Sequence, residues 1–149
     1  MESRNEHAVD VLNRLIETTL DSANGYREAA SHLKDPRYKT LFTERATKRM
    51  ELSRRLQEEV RTFGGRPKDE QSFAGKTHSS WVALKDKLGA GDKGIIDEVE
   101  RGEDTLKSRF QKATSETDLP PTAREVVTSA YASVKADHDE ISRLKHQLH

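Results

Sequence analysis

Apolar residues recur at alternating intervals of three and four along much of the chain, the spacing of a single helix face. Ser3 with Glu6 fits a capping box, and Val9, Leu12, Ile16, Thr19, Ala23, Tyr26, Ala30 and Leu33 follow as one stripe. This predicts a helix over 4–33. Asp35 and Pro36 suit an N-cap and a first helical position. The next stripe, Tyr38, Phe42, Arg45, Arg49, Leu52, Leu56, Val60 and Phe63, gives a helix over 36–63 that Gly64-Gly65 closes. After the loop GGRPKDEQS, Phe73, Thr77, Trp81, Leu84 and Leu88 predict a short helix over 73–88, ended by GAG. Asp92 is positioned to cap a helix over 92–115, striped by Ile96, Val99, Glu103, Leu106, Phe110 and Ala113. Pro120-Pro121 and a Thr122-to-Glu125 capping box open the last helix, over 120–147, with Val127, Ala130, Val134, Asp137, Ile141, Leu144 and Leu148 on its stripe. Asn24-Gly25 lies in phase with its stripe and reads as helical; Gly25 and Gly102, each preceding a stripe residue, suggest close approach of two backbones.

The long helices match in length, roughly 35 to 45 Å at ~1.5 Å per residue, and can pack side by side. Short links join the first to the second and the third to the fourth. About thirty residues separate the pairs, enough to run the length of a bundle. The expected architecture is all-α: a single domain over 1–149, a ferritin-like four-helix bundle of two antiparallel hairpins joined by a long crossover with its own short helix.

Composition agrees, with 35% charged, 32% hydrophobic and 5% aromatic residues, unlike a sheet protein rich in β-branched and aromatic positions. Lys plus Arg and Asp plus Glu both number 26, so no bulk field attracts nucleic acid or anionic membrane. The absence of Cys excludes disulfides and thiolate metal ligands. MESRNEHAVDVLNRL has early charges and no continuous apolar core, so a signal peptide is not expected, and neither is a membrane span. A cytoplasmic location is the expectation.

The segments LNRLIETTLDSANGYREAA, LQEEVRTFGGRPKDEQSFAGKTHSSW and VERGEDTLKSRFQKA resemble a bacterial family of ferritin-like four-helix-bundle proteins of uncharacterised function. The resemblance spans nearly the whole chain, and G-Y-R-E-A with E-R-G-E-D is specific in combination. It implies a fold and no established activity. Metal chemistry in better-known ferritin-like proteins has to be tested on these residues.

A dinuclear iron or manganese bundle draws lone Glu ligands from one helix pair and Glu-x-x-His from the other, all inward. Glu-x-x-His does not occur in this sequence. Asp10, Glu17, Asp21 and Glu28 lie about 120° or more from the centre of the first stripe, on an outer face. The inward polar residues are Thr19, Arg45, Arg49, Glu103 and Asp137, and guanidinium offers a cation no lone pair. In the crossover topology these five fall within about 9 Å in height. They are expected to form a buried network without metal, Glu103 facing Arg45 or Arg49 and Asp137 taking the other. The alternative is a metal site for iron or manganese using Glu103, Asp137, His138 and Glu100.

Other candidates carry less. His146 and His149 share a face near the terminus; Trp81 reads as an anchor for the crossover helix, with a partner-binding hot spot as its rival; Tyr26 and Tyr131 read as core. No nucleotide loop, nucleophile triad or nucleic-acid signature occurs. Two functions follow. One is a non-enzymatic bundle acting through protein contacts, a homodimer or another protein, in a stress-related setting. The other is a divergent metal-dependent oxidase or metal-storage protein.

Overall fold

The computed structural model describes residues 2–70 and 84–148. Four long helices dominate them: α1 (Glu2–His32), α2 (Pro36–Thr62), α3 (Gly91–Thr114) and α4 (Pro121–Leu148), with a 3-10 turn at Leu88–Ala90 before α3. Phe73, Thr77 and Trp81, and with them most of the helix expected over 73–88, lie outside the described residues.

The helix ends show how local chemistry sets direction. Asp35 is extended, and its side chain accepts the Arg37 N–H, so the chain re-enters a helix at once with Pro36 in the first turn. At the far end of α2, Gly64 takes a left-handed φ of 76° and Gly65 lies against Val9; a Cβ on Gly65 would come within 2.6 Å of that valine's methyl group. Two sequence expectations need correction. The first helix begins at Glu2, ahead of the Ser3 assigned as its cap. Asp92 caps nothing in its own helix: its carboxylate accepts the backbone N–H groups of Lys34 and Asp35, both at 2.9 Å, which tethers the α1–α2 turn to the start of α3.

That tether fixes the topology. The opposite end is marked by Arg4, whose guanidinium reaches the carbonyls of Asp118 and Leu119 between α3 and α4, and by His7, 3.4 Å from Glu116. The α1 N-terminus, the α2 C-terminus and the α3–α4 turn therefore share one end, and the α1–α2 turn and the α3 N-terminus share the other. The link from α2 to α3 thus leaves at one end of the bundle and rejoins at the other. Its first residues already turn back along α1, where Asn13 bonds both the Arg66 carbonyl and the Lys68 N–H. The fold is a ferritin-like four-helix bundle of two antiparallel hairpins joined by a long crossover.

Two apolar clusters fill the interior. One, containing Leu12, Leu56, Phe110 and Val127, lies toward the Arg4 end; the other, containing Tyr26, Phe42, Ile96 and Ile141, lies toward the Asp92 end. α1 buries a wider face than one stripe, with Leu15 and Leu20 as buried as Leu12 and Ile16, because it packs against both α2 and α3. Burying a Leu or Phe side chain contributes about 1.5 to 3 kcal/mol, so these clusters supply most of the drive to fold. Between them lies a polar layer.

Candidate functional site

The layer is built around Arg49, the largest fully buried side chain among the described residues, projecting from the middle of α2. Its guanidinium clamps Glu103 of α3 through two parallel bonds, Nη1 to Oε1 at 2.6 Å and Nη2 to Oε2 at 2.9 Å. Nη2 also donates to Asp137 Oδ2 of α4 at 3.2 Å, and Nη1 to the Ser22 hydroxyl of α1 at 2.9 Å. One residue thus ties all four helices. The side chains of Arg49 and Glu103 are 1% and 2% exposed, so neither ion can be hydrated and each depends on the other.

Arg45, one turn earlier on α2, points the same way with different partners. It donates to the Tyr26 hydroxyl and the Asp137 carbonyl, and its closest carboxylate is Glu140, at the half-exposed edge of α4; Asp137 Oδ1 stands 3.8 Å away. Lys48 reaches in from solvent to Asp137 Oδ1 at 2.8 Å. Three cations therefore meet three carboxylates. Tyr26 roofs the layer: both guanidinium carbons lie 5.6 to 5.7 Å from its ring centroid, and its other side meets Phe42 edge-on at 5.3 Å. Burial, and then the Glu103 carboxylate, push the Tyr26 phenol well above its ordinary pKa. Burial works against the Arg49 charge, but Glu103 and the other anionic neighbours outweigh it, so Arg49 stays protonated across the accessible pH range.

Measured against the sequence expectations, Arg45, Arg49, Glu103 and Asp137 come together in this layer, while Thr19 does not join it. Thr19 is fully buried but donates to the Leu15 carbonyl of its own helix at 2.7 Å, and Ser22, nearly one turn on, takes the place expected for it. The pairing also differs. Arg49 holds both Glu103 and Asp137, because from its more buried position its two Nη groups meet α3 and α4 together, and the closest carboxylate to Arg45 is Glu140. Among the described residues, no backbone makes the expected approach to Gly102: a Cβ there would meet nothing within 4 Å. Gly25 and Gly102 both border a cavity of about 190 Å³ beside Tyr26 and Glu103.

The four alternative metal ligands do not converge. Glu103 and Asp137 face Arg49, whereas Glu100 and His138 sit on the α3–α4 seam, with His138 Nε2 3.9 Å from Glu100 Oε2. There His138 contacts Asp104 through Nε2 and Asp139 through Nδ1, and Lys145 pairs with Glu100 at 3.0 Å. Among the described residues, Glu100, Asp104 and His138 form the one group of His, Asp or Glu whose ligand atoms all lie within 4.8 Å. His146 is exposed, and His149 lies outside the described residues.

Sequence reasoning missed Ser22, Lys48, Glu140 and Asp104. Glu140 and Asp104 were detectable by helical spacing, three residues after Asp137 and four after Glu100. Lys48 and Ser22 sit off the stripes and carried no signal.

The family model for a domain of unknown function, DUF2383, matches residues 7–116. Among solved structures, a phenylalanine-to-glutamate mutant of Dps1 from Mycobacterium smegmatis is similar with a TM-score of 0.81 over 97% of this chain and 99% of that one, at 10% identity. That likeness shows the fold alone. No functionally curated protein matches the chain. Among the described residues, no helix is long and apolar enough to cross a membrane.

Proposed function

The chain belongs to the DUF2383 family, and we propose that within its ferritin-like frame it is a non-enzymatic bundle that acts through protein contacts, its centre neutralised by arginine in place of a dinuclear metal. The observation that carries this reading is the Arg49–Glu103–Asp137 cluster. A dinuclear centre requires an excess of carboxylates aimed at two cations held ~3.5 to 4 Å apart. Here the inward carboxylates are matched by guanidinium groups that bring their own charge and cannot be ligands. A metal ion entering between Glu103 and Asp137 would have to displace Arg49, leaving a buried cation beside it. That outcome is disfavoured by several kcal/mol.

The test is anaerobic loading with ferrous iron and with manganese, followed by elemental analysis and by the rate of iron oxidation on admitting oxygen. The expected result is oxidation no faster than in protein-free buffer and no pair of tightly held ions. Two equivalents of retained iron with accelerated oxidation would overturn the reading in favour of an oxidase or storage protein. Light scattering coupled to size exclusion addresses the contacts: a species heavier than one chain, or a co-purifying partner, supports them, and a sharp monomer with neither counts against them.

A further inference from the structure

We propose that the α3–α4 seam carries a mononuclear binding site for a zinc-class divalent cation, with Glu100, Asp104 and His138 as its protein ligands. It is separate from the arginine-closed centre and does not depend on the function proposed for that centre.

Both ring nitrogens of His138 face carboxylate oxygens, Nδ1 toward Asp139 at 3.1 Å and Nε2 toward Asp104 in a short contact. A neutral imidazole has only one N–H. With that proton donated to Asp139, the Nε2 lone pair points at an oxygen lone pair, and the contact requires a positive centre between them. A proton can serve, and so can a metal ion. Asp139 then plays the part of the carboxylate that fixes the tautomer of a metal-bound histidine and orients its ring.

The surroundings suit a cation. Glu100 Oε2 lies 3.9 Å from Nε2, and all three ligand atoms fall within 4.8 Å of one another. Ligands about 2.0 to 2.2 Å from a common zinc ion lie roughly 3.4 Å apart, so the set has to open by about an ångström between Asp104 and His138 and to close slightly at Glu100. Asp104 has that freedom, with a side chain 56% exposed, whereas His138 and Glu100 are each 11% exposed and held in place. Glu100 and Asp104 border an open cleft of about 620 Å³ lined by five carboxylates against three basic side chains, an entry path with the correct sign. One imidazole, two carboxylates and water form a donor set suited to zinc and its first-row neighbours. Binding would displace any proton on Nε2 into solvent.

The experiment is titration of the full chain with zinc chloride near neutral pH by calorimetry, repeated with cobalt(II) read by absorption. One saturable equivalent is expected. His138→Gln and Asp104→Asn should each weaken binding at least tenfold while keeping the helical circular dichroism of the wild type; the exposed Asp104 variant guards against misfolding. His146→Gln should bind as the wild type does. Unchanged stoichiometric binding in both seam variants, loss of binding in His146→Gln, or no saturable binding up to millimolar metal would each overturn the proposal. The arginine-closed centre is tested by iron retention and oxidation, and this site by zinc and cobalt titration of the seam variants, so failure here and failure of the arginine-closed centre are separable.

Discussion

Glu100 and Glu103 stand three residues apart on α3, and Asp137 and His138 are neighbours on α4, yet the two pairs occupy different worlds. Glu103 and Asp137 point inward and meet Arg49; Glu100 and His138 are turned about 60° and about 100° away on their helices, onto a seam bordered by Lys145, Asp104 and solvent. The helices supply similar carboxylates in both places. The difference lies in the opposite wall: at the centre α2 presents a guanidinium fork, and at the seam Glu100 borders an open cleft. A carboxylate on a bundle helix is thus assigned its chemistry by what faces it, and α2 decides that the interior of this frame is an ion-pair layer.

The sharpest way to break this contrast is to remove the fork. Arg49→Ala leaves Glu103 and Asp137 without their shared buried partner and should cost about 3 to 5 kcal/mol in chemical denaturation. Replacing Arg49, Glu103 and Asp137 together with Met, Leu and Leu removes the charges as a set, and that variant should be more stable than Arg49→Ala alone. A triple variant as unstable as the single would mean that packing, not stranded charge, is the cost. Glu103→Ala should fall near the lower end, about 3 kcal/mol, since Asp137 still holds one Nη of Arg49.

A pH prediction follows from Tyr26. Its folded pKa is raised, so above the ordinary phenol value near 10 the unfolded state loses its proton first and the folded state binds more protons. The contribution is fully present below that value and is lost as pH climbs toward the folded pKa, by at most about 1.4 kcal/mol per pH unit. Denaturation curves between pH 9 and 11 should therefore fall more steeply for the wild type than for Tyr26→Phe; equal slopes would place the phenol in water. The smallest effect is expected at the rim. Lys48 touches Asp137, but its side chain is half exposed, so Lys48→Ala should change stability by less than about 1 kcal/mol.

Much of the fold could be read from the spacing of apolar residues, because a long bundle helix repeats one simple demand for many turns. The same stripes exposed Arg45, Arg49, Glu103 and Asp137 as interruptions, since an ion at an apolar position is conspicuous. What periodicity could not give was partnership. Whether Arg49 or Arg45 reaches Glu103 depends on depth and on helix rotation, and Ser22 outcompetes Thr19 because the threonine hydroxyl turns back to its own helix. Asp92 was misassigned for a related reason: a carboxylate in a first helical turn suits a local cap and an adjacent chain's N–H groups equally, and only three-dimensional proximity chooses.

Whether Arg49 and Glu103 neutralise each other at the heart of the bundle is measured by a double-mutant cycle on Arg49→Ala and Glu103→Ala. The stability of the wild type, both single variants and the double variant isolates their coupling. The account predicts about 2 to 3 kcal/mol of favourable interaction, with the double variant losing much less than the sum of the singles. A coupling below about 0.5 kcal/mol would contradict it, because a buried fork bonded twice to its carboxylate cannot be energetically silent.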